Sequence, residues 1–186
     1  MPKHNVCPWW AGYLLTSPIR KLTQDPARIL RPYVRAGMTV LEPGPGMGFF
    51  TLELARLVGP AGRVVAVDVQ SRMIAGLKRR ADRAGLLDRI DARVAPEATM
   101  ALDACEGTID FVLAFAMVHE LPSAAAFFTE AARAMKPGAS LLLAEPAGHV
   151  TEEDFGSELK LAAAAGLAAV DRPQIWRSRA ALLRKS

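Results

Sequence analysis

The chain of 186 residues holds only two cysteines, Cys7 and Cys105, far apart and in no metal-like spacing. A disulfide-stapled scaffold is excluded, and a reducing cytoplasm is the expected setting. No apolar run approaches the roughly 20 residues that span a bilayer, so no membrane partner is expected. Pro8, Gly12 and Pro18 interrupt the apolar residues of the first segment, which therefore does not read as a secretory leader. Charge of one sign is not in large excess: 23 Lys and Arg stand against 19 Asp and Glu, a net +4. That balance permits an anionic partner without demanding one, and the cluster Lys78-Arg79-Arg80 reads as the solvated face of a helix. Internal repeats and low-complexity linkers are missing too. What remains, 51% hydrophobic and 23% charged, is the composition of an ordinary globular domain. Its length suffices for one core, with little left over for a separate substrate domain.

The most informative segment is Glu42-Pro43-Gly44-Pro45-Gly46-Met47-Gly48, directly after the apolar run Met38-Thr39-Val40-Leu41. It reads as a strand entering a cofactor turn. Glycines let backbone approach a ligand where a Cβ would collide, and the following helix offers unpaired N–H groups. The spacing is G-x-G-x-G, tighter than the G-x-G-x-x-G of dinucleotide folds, and Glu42 stands where a pyrophosphate would be repelled. A cationic ligand suits that carboxylate. Further on, Asp68 closes the apolar run Arg63-Val64-Val65-Ala66-Val67, so a second strand ends in a carboxylate able to accept both hydroxyls of a ribose. An NAD-binding turn is the competing reading of these glycines.

The order of strand, acid, three glycines, helix, strand and acid resembles the class I S-adenosylmethionine-dependent methyltransferases, over residues 37 to 170 or so. Their cofactor meets the electrostatic requirement, since it carries an ammonium and a sulfonium and no phosphate. The resemblance implies that Glu42, Gly44, Gly46 and Gly48 hold the methionine end and Asp68 the ribose. Val69 and Met73 would pack near the adenine, with Ala114, Phe115 and Ala116 lining the methionine side. Residues 94 to 97 resemble the family's adenine-edge segment, with Glu97 the only acid there. An amino-terminal Cys7-Pro8-Trp9-Trp10, a Val118-His119-Glu120 and a Glu145-Pro146 followed by His149-Val150 are similar to small stand-alone prokaryotic members of that family.

Periodicity gives the frame. Residues 1–36, rich in proline and aromatics, read as an arm or lid, with Ser17-Pro18 and Asp25-Pro26 each placing a cap before a proline at the first helical position. Residues 37–186 read as the cofactor-binding domain of a single-domain protein. Helices are expected at 49–58, 72–84 with Ser71 as cap, from Ser123 to Met135, and after Thr151 up to Gly166. The first of these should bury Phe50, Leu54 and Leu57. Strands are expected at 90–94, 109–115, 140–144, 168–171 and 180–183, with Lys136-Pro137-Gly138 stopping the helix that ends at Met135 and a short helix before Cys105. Strands alternating with helices at short spacing demand a parallel sheet. The fold expected is therefore α/β, a Rossmann-like doubly wound sheet of seven strands, mostly parallel with an antiparallel final strand.

Chemistry is sought at the strand ends. His119 is the candidate general base, because imidazole titrates near neutrality, and Glu120 accompanies it as the second candidate catalytic residue. A bracing role for that histidine is the alternative. Trp9, Trp10, Glu145 and His149 are candidate substrate contacts. Two histidines with carboxylates would suit a divalent metal, but the spacing matches no metal signature, so none is assigned. Ala114-Phe115-Ala116-Met117 stands where N-methylating enzymes of adenine or glutamine carry an N/D-P-P-Y/F motif, and a Pro-Cys nucleophile and a Lys-Asp-Lys-Glu tetrad are absent as well. The expected activity is methyl transfer to a small molecule. RNA or protein as acceptor, or cofactor binding without transfer, stand as alternatives, and the oligomeric state stays open, a homodimer included.

Overall fold

A computed structural model of the chain describes residues 24–96 and 98–186. Cys7, Trp9, Trp10, the Ser17-Pro18 cap and Glu97 lie outside the described residues. The fold is α/β, a seven-stranded mixed sheet in the strand order 3-2-1-4-5-7-6. The described residues fall into two compact units, 24–96 and 98–186.

In the first unit, Asp25 accepts the Ala27 N–H at 3.0 Å and Pro26 opens helix α1 (Pro26–Leu30). The dipeptide works as a cap because proline lacks only an N–H that would be orphaned anyway. Strands β1 (Thr39–Pro43), β2 (Arg63–Asp68) and β3 (Ile90–Val94) run parallel, with Leu41 opposite Val65 and Asp68 opposite Val94. Val64, Val65, Ala66 and Val67 are all buried, the continuous apolar run of a strand covered on both faces. Helix α2 (Thr51–Val58) packs on β1 and β2, and α3 (Ser71–Arg83) on β2 and β3.

Three expectations need correcting here. Helix α2 starts at Thr51 rather than 49, and Val58 rather than Leu57 takes the inner position. Ser71 does not cap α3. Gln70 is the capping position, without a side-chain bond to the helix, and its N–H donates to Asp68 Oδ1 at 2.8 Å. An aspartate two residues upstream of an N–H forms such a turn readily, so it displaces the serine.

The second unit contains β4 (Ile109–Phe115), α4 (Ala124–Ala134), β5 (Met135–Pro146), α5 (Glu152–Ala164), β6 (Leu167–Asp171) and β7 (Ser178–Lys185). Strands β4 and β5 are parallel, while β7 is antiparallel to both β5 and β6 and lies between them. Ser123 caps α4 through the Ala126 N–H, and Thr151 and Asp154 form a reciprocal capping box on α5.

Strand β5 is longer than expected. It begins at Met135, directly after α4, and takes in Lys136-Pro137-Gly138. The register with β4 jumps from Ile109 opposite Met135 to Phe111 opposite Ser140, so the proline falls in a bulged excursion where no ladder N–H is required of it. The stretch before Cys105 is one 3₁₀ turn, Asp103–Cys105.

Candidate functional site

The glycine turn follows β1 and is built from backbone bent into the left-handed region: φ is +65° at Gly44, +53° at Gly46 and +84° at Gly48. The Gly44 N–H donates to Val67 O at 2.8 Å, so the turn begins in register with β2. A Cβ on Gly46 would meet nothing within 4 Å, which leaves its backbone open to a ligand. Helix α3 supports the turn from below. Its Gly76 leaves room for Met47, and its Arg80 donates to the Met47 carbonyl. Arg80 is thus half-buried and structural, unlike exposed Lys78 and Arg79, and the reading of all three as one solvated face fails at Arg80. Burial lowers its guanidinium pKa.

Glu42, in β1, is 4% exposed, and its Oε2 has no hydrogen-bond partner. Burial pushes its carboxyl up to about 7, the Thr51 hydroxyl opposes the rise without reaching hydrogen-bond geometry, and neighbouring Asp68 adds to it. An uncompensated carboxylate in such a place is costly, so the free protein holds it partly protonated. A cation arriving beside it would restore the charge. At the end of β2, Asp68 is oriented by its bond from the Gln70 N–H. Val69 beyond it is 40% exposed, whereas Met73 is 3% exposed and belongs to the core, offering a ligand little surface.

In the second unit, Ala114 is fully buried and Phe115 is 9% exposed. Ala116 follows with φ +54°, a left-handed conformation that a residue with a Cβ adopts at a cost. Its N–H donates to Ala144 O at 2.7 Å, pinning the end of β4 to β5. A 3₁₀ turn, Val118–Glu120, comes next. The fully buried Glu145, at the end of β5, reaches across to that turn: Oε1 accepts the N–H groups of Met117 at 3.2 Å and Val118 at 2.9 Å, and Oε2 is hydrogen-bonded to His119 Nδ1.

Four residues singled out from the sequence therefore share one place. His119 Nε2 lies 3.9 Å from Glu120 Oε1, and the exposed His149 ring lies 6.2 Å from the His119 ring. Glu158 of α5 joins them, and no sequence signal marked it apart from a carboxylate on the buried stripe of a helix. It is 8% exposed with Oε2 unpartnered, and its carboxyl is pushed up to about 7 by burial first and by Glu145 next. The hydrogen bond to Glu145 raises the His119 pKa against the effect of burial, with Glu120 and Glu158 adding to the rise. Among the described residues, no three His, Cys, Asp or Glu side chains are arranged to hold a metal ion. A separate cleft of about 410 Å³, lined by Glu152, Arg172, Gln174, Ser178 and Arg179 among others, contains none of the residues singled out.

A methyltransferase domain family matches residues 40–138, more than half of the chain. Over 150 residues the chain is 36% identical to a ribosomal protein L11 methyltransferase of Pelotomaculum thermopropionicum, spanning 79% of this chain and 44% of that one. Over 121 residues it is 27% identical to an arsenite methyltransferase of Aquipseudomonas alcaligenes, 63% of this chain and 35% of the other. The chain spans less than half the length of these curated relatives. Its fold matches the crystal structure of a SAM-dependent methyltransferase from Aquifex aeolicus with a TM-score of 0.87 and 25% identity, covering 97% of this chain and all of the other. The chain belongs to the class I methyltransferase family, whose methyl donor is S-adenosylmethionine.

Proposed function

We propose that the chain is an S-adenosylmethionine-dependent methyltransferase whose acceptor is a small molecule. One observation carries the cofactor half: a buried carboxyl oxygen with no partner, Glu42 Oε2, beside a turn whose Gly46 backbone lies open. These residues fit the group. Glu42 would take the methionine ammonium, the turn glycines would admit its backbone-like end closely, and Asp68 would accept from the ribose hydroxyls. Val69 offers apolar surface for the adenine, and Ala116 is the better placed of residues 114–116 to touch a ligand, since Ala114 has no exposed surface. When bound, the cofactor supplies a methyl group already activated on sulfur, so the protein's work is alignment, exclusion of water and removal of a proton. His119 is the residue for that last task, with Glu120 beside it.

The surroundings of His119 support a metabolite over RNA. Glu120, Glu145 and Glu158 make them acidic, and a phosphate backbone would be repelled there. Protein as acceptor is the second reading, favoured by the similarity to the ribosomal protein L11 methyltransferase. Isothermal calorimetry with S-adenosylmethionine, its demethylated product and NAD tests the cofactor assignment. Binding of the first two and not the third is expected. Transfer of labelled methyl into a metabolite panel, with no label in RNA or ribosomal protein, would support the acceptor class, and the reverse would overturn it.

A further inference from the structure

Glu145 has no exposed surface, yet both of its oxygens are engaged, Oε1 by two backbone N–H groups and Oε2 by the imidazole of His119. Two N–H donors on Oε1 suit a carboxyl group acting as acceptor, and the ring nitrogen facing Oε2 is then the donor. Nδ1 therefore keeps its proton in both charge states of the ring, and Nε2 is the nitrogen that titrates. Its separation of 3.9 Å from Glu120 Oε1 is beyond hydrogen-bond reach, and the side chain keeps 23% of its surface open.

Resting on the methyltransferase reading above, we propose that Glu145 is the positioning residue of a His119 base rather than a substrate contact, and that the site takes a protic methyl acceptor. By protic we mean a hydroxyl, a thiol or an ammonium. In the step, the acceptor's proton passes to His119 Nε2, and the lone pair left behind forms the new bond to the methyl carbon. The methyl–sulfur bond breaks with its electron pair remaining on sulfur. Glu145 then holds the imidazolium through Nδ1, as an ionised partner stabilises the charged ring. An acceptor whose nucleophilic atom bears no proton, such as a thioether or a tertiary amine, leaves Nε2 without work.

The titratable groups around the ring are Glu145 on β5, Glu120 on its own turn, His149 after β5 and Glu158 on α5, with Asp154 acting on Glu158 in turn. The carboxylates among them favour the protonated ring, so the midpoint should lie above the ordinary 6.5. Nitrogen-15 NMR of the histidines in the full chain, titrated without ligand, reads this directly, with the His119 signals identified by their loss in His119→Gln. Expected are a neutral ring protonated at Nδ1 and bare at Nε2, a midpoint above 6.5, and a fall of the midpoint by half a unit or more in Glu145→Gln, partly restored in Glu145→Asp. A neutral ring protonated at Nε2, or a midpoint that Glu145→Gln leaves in place, overturns the positioning role. Should that variant not fold, the wild-type tautomer decides.

Labelled-methyl transfer to phenols, thiols and primary amines, set against thioethers and tertiary amines, tests the acceptor class. Label in the aprotic set alone overturns it. Calorimetry with S-adenosylmethionine keeps the two levels apart: no binding removes the methyltransferase reading and the acceptor class with it, while the ring tautomer stands or falls on the NMR.

Discussion

Gly48 and Leu77 are fitted to each other: a Cβ on the glycine would lie 2.5 Å from Leu77 Cδ1, and Leu77 is fully buried. The turn is thus seated on α3 by the absence of a side chain. Gly48→Ala adds that clash to the strain of a left-handed backbone at φ +84°, and we expect a loss of about 2–4 kcal/mol in stability by chemical denaturation. Gly46→Ala meets nothing, so only backbone strain of about 1–2 kcal/mol is expected. Its effect should fall on cofactor affinity, measured by calorimetry, because the added methyl group occupies the open side of the turn.

Glu42 has a carboxyl raised to about 7 in the folded chain from its ordinary 4.5. The folded state therefore binds a proton more tightly than the unfolded one, and ligand-free stability should fall as pH rises from 4.5 to about 7 and level off above. The full cost is of order 3 kcal/mol. Glu42→Gln should remove it, giving a protein that is more stable than wild type at pH 8 in denaturant titrations and that binds S-adenosylmethionine at least tenfold more weakly. A variant no more stable at pH 8 contradicts the cost assigned to this carboxyl.

The same group predicts proton release on cofactor binding. Below about pH 7 the protonated carboxyl must ionise to meet an ammonium, so affinity should rise with pH up to about 7. Calorimetry in two buffers of different ionisation enthalpy should show a fraction of a proton released at pH 6.5 in wild type and a smaller release in Glu42→Gln. Equal release in both would place the titrating group elsewhere.

Asp68 has two tasks that substitution can separate. Asp68→Asn retains an oxygen for the Gln70 N–H while losing the charge, and Asp68→Ala loses both. Both should weaken cofactor binding, alanine by about 2–4 kcal/mol. Only alanine should also loosen the start of α3, seen as faster amide hydrogen exchange at residues 70–73. Equal exchange in the two variants would show that the Gln70 bond does not secure that helix end.

Glu158→Gln should leave stability at pH 8 unchanged or raise it by about 1 kcal/mol, because an unpartnered carboxyl oxygen is no longer ionised in a buried place. A clear loss of stability in denaturant would mean that the charge on Glu158 is satisfied in the fold.

Strand β2 was legible because both-face burial leaves an unbroken apolar run, Val64–Val67, and Asp25-Pro26 and Thr151–Asp154 announced their helices through local capping chemistry. Ser71 misled because its competitor, Asp68, acts from outside the helix. Strand β5 ran past the proline that should have bounded it, since a bulge is a property of two paired strands and neither sequence shows it alone. Distance along the chain likewise hid one member of the His119 site and the role of another. His119, Glu145 and His149 could be named from their strand ends, but Glu158 enters from α5, and the duty of Glu145 toward the Met117 and Val118 amides exists only once β4 and β5 are paired. Arg80 was hidden by its type, a cation in a basic cluster whose target is the Met47 carbonyl, 33 residues upstream.

Strand β7 lies between β5 and β6 and is the later in sequence of the three. Until β7 has docked, β6 has no neighbour to complete its ladder and β5 keeps one side bare. Residues 98–177 without β7 thus present unfinished edges, the kind of surface that recruits chaperones or neighbouring chains. A chain truncated before residue 178 should accordingly be far more open to protease than the full chain.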